Sequence, residues 1–160
     1  MNKKIFAILV ISFIVDQVFK SVVDLYIKLD GVVDVFNGFY ITNLNNTGCA
    51  FSLLEGKNYL LALLAVVIVF ALISIIKDYK DCILTNVSFG LIFGGIFGNL
   101  SDRLFLGYVR DFIGVNIFKY SFPVFNLADA FICIGVFGLI LETFLERDKN
   151  DCSSTKKRKN

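Results

Sequence analysis

The chain contains no histidine. That absence excludes Ser-His-Asp triads, Cys-His dyads and most zinc sites. There is no tryptophan, and the only proline is Pro123. The four cysteines, Cys49, Cys82, Cys133 and Cys152, form no CxxC pair and fit no metal spacing. They read as small apolar or incidental residues. A net charge of +2 is too small to suggest a nucleic-acid partner. No metal and no cofactor is expected.

What the chain does have is apolar surface. Of its 160 residues 56% are hydrophobic and 18 are phenylalanine, with a mean hydropathy of +0.72. That exceeds the apolar share of a soluble domain. Four stretches read as transmembrane helices, at about 4–26, 59–76, 82–102 and 127–145. The run from Tyr59 to Ile76 is uninterrupted, and eighteen residues at ~1.5 Å each match the hydrocarbon thickness. The first stretch begins like a secretory signal, with Lys3 and Lys4 before IFAILVISFIV. No small-x-small cleavage site follows, so it reads as an uncleaved helix.

The segment from Leu104 to Asp129 organises the rest. It lies between two hydrophobic stretches and carries Asp111 and Asp129. No single helix face holds both. They meet only if the loop containing Pro123 folds back. Asn126 is an N-cap candidate, which puts Asp129 at N3, where an acid suits the helix dipole. A purely structural role for Asp129 is therefore open at this point.

Other polar residues cluster near the same level. Asp16 and Lys20 are four apart on one helix face and can pair. Ionisable groups inside a membrane helix are costly and face a bundle interior or a site. Both an ion pair that only joins helices and a functional pair fit them. Phe39–Thr42 reads as a short strand, and Leu44–Gly48 as a turn offering Asn45, Asn46 and Thr47. In the third helix Asn86, Gly90, Gly94, Gly98 and Asp102 recur every four residues. This makes a smooth stripe for close helix approach. Asn99, Asp102 and Arg103 gather at its end.

Four spans put both termini on one side. That side would carry Lys3, Lys4, Lys77, Lys80, Arg147, Lys149 and Lys156–Lys159, against Lys28, Lys57, Arg103, Arg110 and Lys119 on the other. The asymmetry predicts cytoplasmic termini. The odd polar residues then sit near the outer surface. Without His or a phosphate loop, the available chemistry is two carboxylates working as acid and base. Held close in low dielectric, they do not both ionise comfortably and share a proton.

Five segments carry a resemblance: DQVFK (Asp16–Lys20), NNTGCAFS (Asn45–Ser52), GGIFGNLSDR (Gly94–Arg103), GYVRDF (Gly107–Phe112) and FPVFNLAD (Phe122–Asp129). In this order they resemble lipoprotein signal peptidase, or signal peptidase II, a bacterial membrane aspartic protease. The resemblance covers nearly all of the chain except the basic tail. It implies an all-α membrane protein of four transmembrane helices with a small β-rich extracytoplasmic cradle and both termini cytoplasmic. It implies one integral membrane peptidase domain, 1–146. The basic tail, 147–160, lies outside the resemblance and, from its composition, is expected to be disordered and to touch anionic lipid. Asp111 and Asp129 would be the catalytic pair. Asp16, Lys20, Asn46, Gly48, Asn99, Asp102, Arg103, Asn126 and Ala128 would line or brace the site. The implied substrate is a prolipoprotein whose cysteine carries diacylglycerol, cut just before that cysteine. The implied location is the bacterial inner membrane, with the site near the outer leaflet. The glycine stripe and the cradle would hold the lipidated segment.

Two positions depart from the family pattern. Phe19 stands where Ser or Thr is common, and Arg110 where an apolar residue is usual. In an extended segment Arg110 points away from Asp111. Two rival readings remain at this point. One is a transporter with Asp16, Lys20 and Asp129 as a proton relay. It predicts polar residues along the whole membrane path, and the inner half offers mainly Asn86 and Ser88. The other is a purely structural bundle, which leaves the outer polar cluster without a purpose.

Overall fold

A computed structural model of the chain describes residues 2–48, 55–118 and 120–157. Cys49 to Ser52, in the second motif, lie outside the described residues, as does the very end of the basic tail.

Among the described residues four helices are long and apolar enough to cross a membrane: Lys3–Tyr26, Asn58–Asp78, Ile83–Phe105 and Leu127–Leu145. The first is α1, Lys3–Tyr26. Asn2 caps it, accepting from the Ile5 N–H at 2.9 Å. The second is α2, Asn58–Ile75, which tightens into a 3-10 turn at Ile76–Asp78. The third, α3, covers Ile83–Phe105. The fourth, α4, covers Leu127–Lys157. The helix thus continues past Leu145, where a disordered tail was expected to take over. No Gly or Pro follows to stop it.

Helix α3 is the centre. Its buried side chains include Phe89, Ile92, Phe93 and Ile96, with Ile5 and Leu139 packed against them. The other helices turn apolar residues outward: Ile11 is 62% exposed, Phe70 67% and Phe137 66%. In water such faces would aggregate; in lipid they are solvated.

Close approach comes from the glycines. A Cβ at Gly90 would strike Ile8, one at Gly94 would strike Ser12, and one at Gly98 would strike Asp16. Gly95 meets Ala128, while Gly135 and Gly138 on α4 meet Ser88 on α3. Small residues let backbones approach where lipid supplies no hydrophobic driving force. The stripe therefore faces α1. It is covered and does not hold a lipidated segment, contrary to the expectation above.

The chain is not all-α. Strands β1 (Val32–Phe36), β2 (Phe39–Asn46), β3 (Val109–Ile117) and β4 (Tyr120–Ser121) form an antiparallel sheet in that order. Of the expected turn at Leu44–Gly48, Leu44–Asn46 is strand instead, pairing Leu44 with Asp111, Asn45 with Arg110 and Asn46 with Val109. Long-range pairing overrides the local turn preference of Asn. The sheet is tied to the end of α1. The Asn43 side chain donates to the Ile27 carbonyl at 2.9 Å, and the Thr42 hydroxyl donates to the Gly31 carbonyl at 2.8 Å.

Candidate active site

Strand register places the first carboxylate. Asn46 lies opposite Val109, two residues before Asp111. Side chains two apart share a face, so Asn46 and Asp111 point the same way. The Asn46 Nδ2 donates to Asp111 Oδ2 at 2.7 Å. Its Oδ1 accepts from the Gly48 N–H at 2.9 Å, which fixes the amide's orientation.

The Pro123 loop folds back, which was the condition for the two aspartates to meet. After β4, Phe125 returns to β3. Its carbonyl accepts from the Ile113 N–H at 2.7 Å, and its N–H donates to the Ile113 carbonyl at 3.0 Å. One residue later, Asn126 begins α4. Asp111 and Asp129 thereby come to line one cavity of about 510 Å³, together with Asn46, Asn99 and Arg103. A second cavity, of about 560 Å³, also reaches Asp111, past Asp30, Thr47 and Glu55. Phe122, Pro123 and Val124 wall both.

Two asparagines hold the carboxylates. Asn126 Nδ2 donates to Asp111 Oδ1 at 2.6 Å. Asn99 Nδ2 donates to Asp129 Oδ1 at 2.7 Å. The two amides also meet, Asn126 Nδ2 to Asn99 Oδ1 at 3.1 Å. An asparagine amide can flip, so something must set its direction. For Asn99 this is Lys20, whose ammonium only donates. Its Nζ lies 2.9 Å from Asn99 Oδ1, which turns Nδ2 toward Asp129.

Lys20 is fully buried. An unpaired buried ion costs several kcal/mol, so its partners are decisive. They are Asp16 Oδ2 at 2.8 Å and Asp102 Oδ2 at 3.2 Å. Asp16 spends its other oxygen on the N–H of Ala128, at 2.9 Å. That is an orphan donor in the first turn of α4, so α1 caps α4 from outside. Ala128 is itself fully buried between Gly95 and Gly98. Arg103 donates to the Gly48 carbonyl at 3.1 Å and, at the limit of 3.5 Å, to that of Asn99.

Arg110 points away from Asp111, as alternation predicts. Its guanidinium grips Asp102, with Nη2 2.8 Å from Oδ1 and Nε 3.3 Å from Oδ2. The Arg110 N–H adds a third bond to Asp102 Oδ2 at 3.1 Å. Arg110 also reaches Gln17 Oε1 at 2.8 Å and Asp24 Oδ2 at 3.1 Å. These partners were not found from the sequence. Local spacing carries no signal for a contact between residues 17 and 110. The cavity walls at Phe122 and Cys133 were missed as well, because they look like ordinary apolar positions.

Burial pushes the Asp111 carboxyl up from its ordinary value to about 7, and the charge of Asp129 adds to the effect. The Asn46 and Asn126 amides pull the other way. Asp111 thus sits where a carboxyl near neutral pH can keep a proton. Each site residue named from the sequence joins one connected network, directly or through its backbone. Among the described residues no group of three or more His, Cys, Asp or Glu side chains is arranged to hold a metal ion.

A family model described as signal peptidase (SPase) II matches residues 8–145. Two solved structures are similar, each described as a bacterial membrane enzyme determined by the in meso method, at 2.3 and 1.9 Å resolution. The first superposes with a TM-score of 0.82 at 35% identity, covering 91% of this chain and 90% of the other. The second has a TM-score of 0.77 at 36% identity, covering 86% and 90%.

Proposed function

Because this chain belongs to the signal peptidase II family, membrane proteases that remove lipoprotein signal peptides, we propose that Asp111 and Asp129 are its catalytic pair. The observation that carries this is the convergence of both carboxylates on one cavity, each held by an asparagine amide. The substrate is a prolipoprotein with a diacylglyceryl cysteine, cut at the peptide bond just before that cysteine.

Asp129 is the base and Asp111 the acid. Asp129 takes a proton from a water molecule, and the resulting hydroxide attacks the scissile carbonyl carbon. The pair of electrons moves onto the carbonyl oxygen, and a tetrahedral intermediate forms. Asp111, held protonated near pH 7 by burial, donates its proton to the leaving nitrogen. The C–N bond breaks, releasing the signal peptide as a carboxylic acid and the lipoprotein with a free α-amino group. Asn46, Asn99 and Asn126 keep the carboxylates oriented. Lys20, Asp16 and Asp102 fix Asn99 and the start of α4. Arg103 and Gly48 brace the rim, and Ala128 allows the close helix contact.

Residues 1–146 make up the single peptidase domain. The lysines at 3, 4, 77 and 80 support cytoplasmic termini in the bacterial inner membrane. The carboxylate pair then lies near the outer leaflet.

The test uses purified protein and a diacylglyceryl prolipoprotein. Wild type is compared with Asp111→Asn and Asp129→Asn, each of which keeps the shape and removes one ionisable carboxyl. The expected result is cleavage by wild type alone, with both variants folded in detergent. Near-normal cleavage by either variant would remove that aspartate from the chemistry.

A further inference from the structure

We propose that the groove between α2 and α4 is the berth of the substrate's apolar signal segment. This rests on the catalytic reading above and adds where the part of the substrate that is not cut must lie.

The groove follows from how the helices pack. Helix α3 packs closely with both α1 and α4. Helix α2 leans on α3 instead, so a furrow stays open along α3 between α2 and α4. Its floor and walls are Ile92 and Ile96 of α3, Ile68 of α2, and Val136 and Ile140 of α4, enclosing about 410 Å³. The one hydroxyl on the α4 wall, Thr143, is bonded to the Leu139 carbonyl at 2.9 Å. The α4 wall therefore presents carbon.

The furrow and the carboxylate site lie along the same faces of α3 and α4. On α4, residues 129, 133, 136, 140 and 143 recur at helical spacing and share one face. Asp129 and Cys133 line the upper cavity. Val136, Ile140 and Thr143 line the lower one. On α3, residues 92, 96, 99 and 103 do the same, with Ile92 and Ile96 below and Asn99 and Arg103 above. Two parallel rails thus lead from the carboxylates down through the apolar layer.

Length and chemistry select the occupant. The fourteen steps from Asp129 to Thr143 span ~21 Å of helix axis. The apolar core of a signal peptide, 7–15 residues, is ~10–22 Å long as a helix. A scissile bond held at Asp129 requires the preceding apolar segment to run inward beside α4. A free lipid has no reason to begin at Asp129; a substrate cut there has, and its diacylglyceryl chains are told from its signal segment by which of the two carries the adduct.

The experiment places a photo-crosslinking phenylalanine analogue at Ile68, Val136 or Ile140 in the Asp111→Asn background, which leaves the substrate uncut. Ile11 and Val18 of α1, 62% and 52% exposed, are the control positions. The protein is reconstituted in vesicles with diacylglyceryl prolipoprotein. Adducts with the signal segment are expected from the three groove positions, about tenfold above the α1 controls, a difference that corresponds to ~1.4 kcal/mol of preference. Equal labelling from α1, or groove adducts with lipid alone, overturns the proposal.

A second measurement separates this inference from the catalytic one. In an otherwise wild-type chain, Val136→Trp and Ile140→Trp fill the furrow. They should raise KM for full-length prolipoprotein about tenfold. They should leave kcat/KM unchanged for a short lipopeptide that lacks the apolar segment. If wild type cuts neither substrate, the catalytic reading fails. If wild type and the filled variants cut both substrates alike, the berth lies elsewhere while the catalytic reading stands.

Discussion

Asn126 and Asp129 bond each other twice. The Asp129 N–H donates to Asn126 Oδ1 at 3.0 Å, and the Asn126 N–H donates to Asp129 Oδ2 at 3.2 Å. This reciprocal cap uses one oxygen of Asp129 and leaves the other for Asn99. Helix start and carboxylate placement are therefore one device.

That device can be taken apart. Asn126→Ala should cost about 1 kcal/mol of stability from the lost cap and remove a donor to Asp111. Asn126→Ser restores the cap but not the Nδ2 donor. Thermal unfolding in detergent should show Ser recovering most of the stability, while initial cleavage rates stay low for both. Full activity in the Ser variant would make Asn126 a cap and nothing more.

The pH profile should carry the signature of Asp111. As the acid it must be protonated, so kcat/KM falls as pH rises through about 7. The Asn46 amide stabilises the charged carboxylate, so Asn46→Ser should move this limb to higher pH. A limb that stays put or moves down would assign it to another group. Stability has its own sign. Folded Asp111 keeps a proton that the unfolded chain releases near 3.8, so its contribution declines as pH rises from about 4 to about 7. Asp111→Asn should flatten that slope in unfolding measurements.

Arg110→Met should destabilise the fold by about 3 kcal/mol, since it withdraws the bidentate partner of Asp102, which is 1% exposed. Lys20 still faces Asp102, which keeps the loss at the lower end of the range for a broken buried pair. Arg110→Lys should recover little, because an ammonium cannot match the two-pronged contact. Denaturant titration of the three proteins decides it.

Gly94→Ala should push α1 away from α3. The new Cβ would lie 2.8 Å from the Leu9 carbonyl and would also meet Ser12. Overpacking of this kind costs about 1–3 kcal/mol. Lys20 rides on α1, so cleavage should drop together with the melting temperature. A melting temperature equal to wild type would show that α1 yields without strain.

The helices were legible from hydropathy because lipid demands long unbroken apolar runs, and their observed membrane-length parts match closely. The meeting of Asp111 and Asp129 was legible only as a condition: no helix face holds both, so they could meet only if the Pro123 loop returned, and the family resemblance gave the reason to expect it. The strand at Leu44–Asn46 was not legible, since its reason is a partner sixty-odd residues away in β3. Nor was the cover over the glycine stripe. Spacing shows that something approaches Gly90, Gly94 and Gly98, and only the packed chain shows that it is α1. Arg110 was read correctly as pointing away from Asp111, but its grip on Asp102 and Gln17 needed the fold.

The Asp16–Lys20 contact at 2.8 Å bears on how the protein is made. The two residues sit one turn apart on α1, which precedes α3 in the chain. Lys20 therefore enters the bilayer with its own counter-ion, before α3 exists to supply Asp102. The later helix then docks onto an ion pair already in place, so the order of synthesis and the order of charge burial coincide.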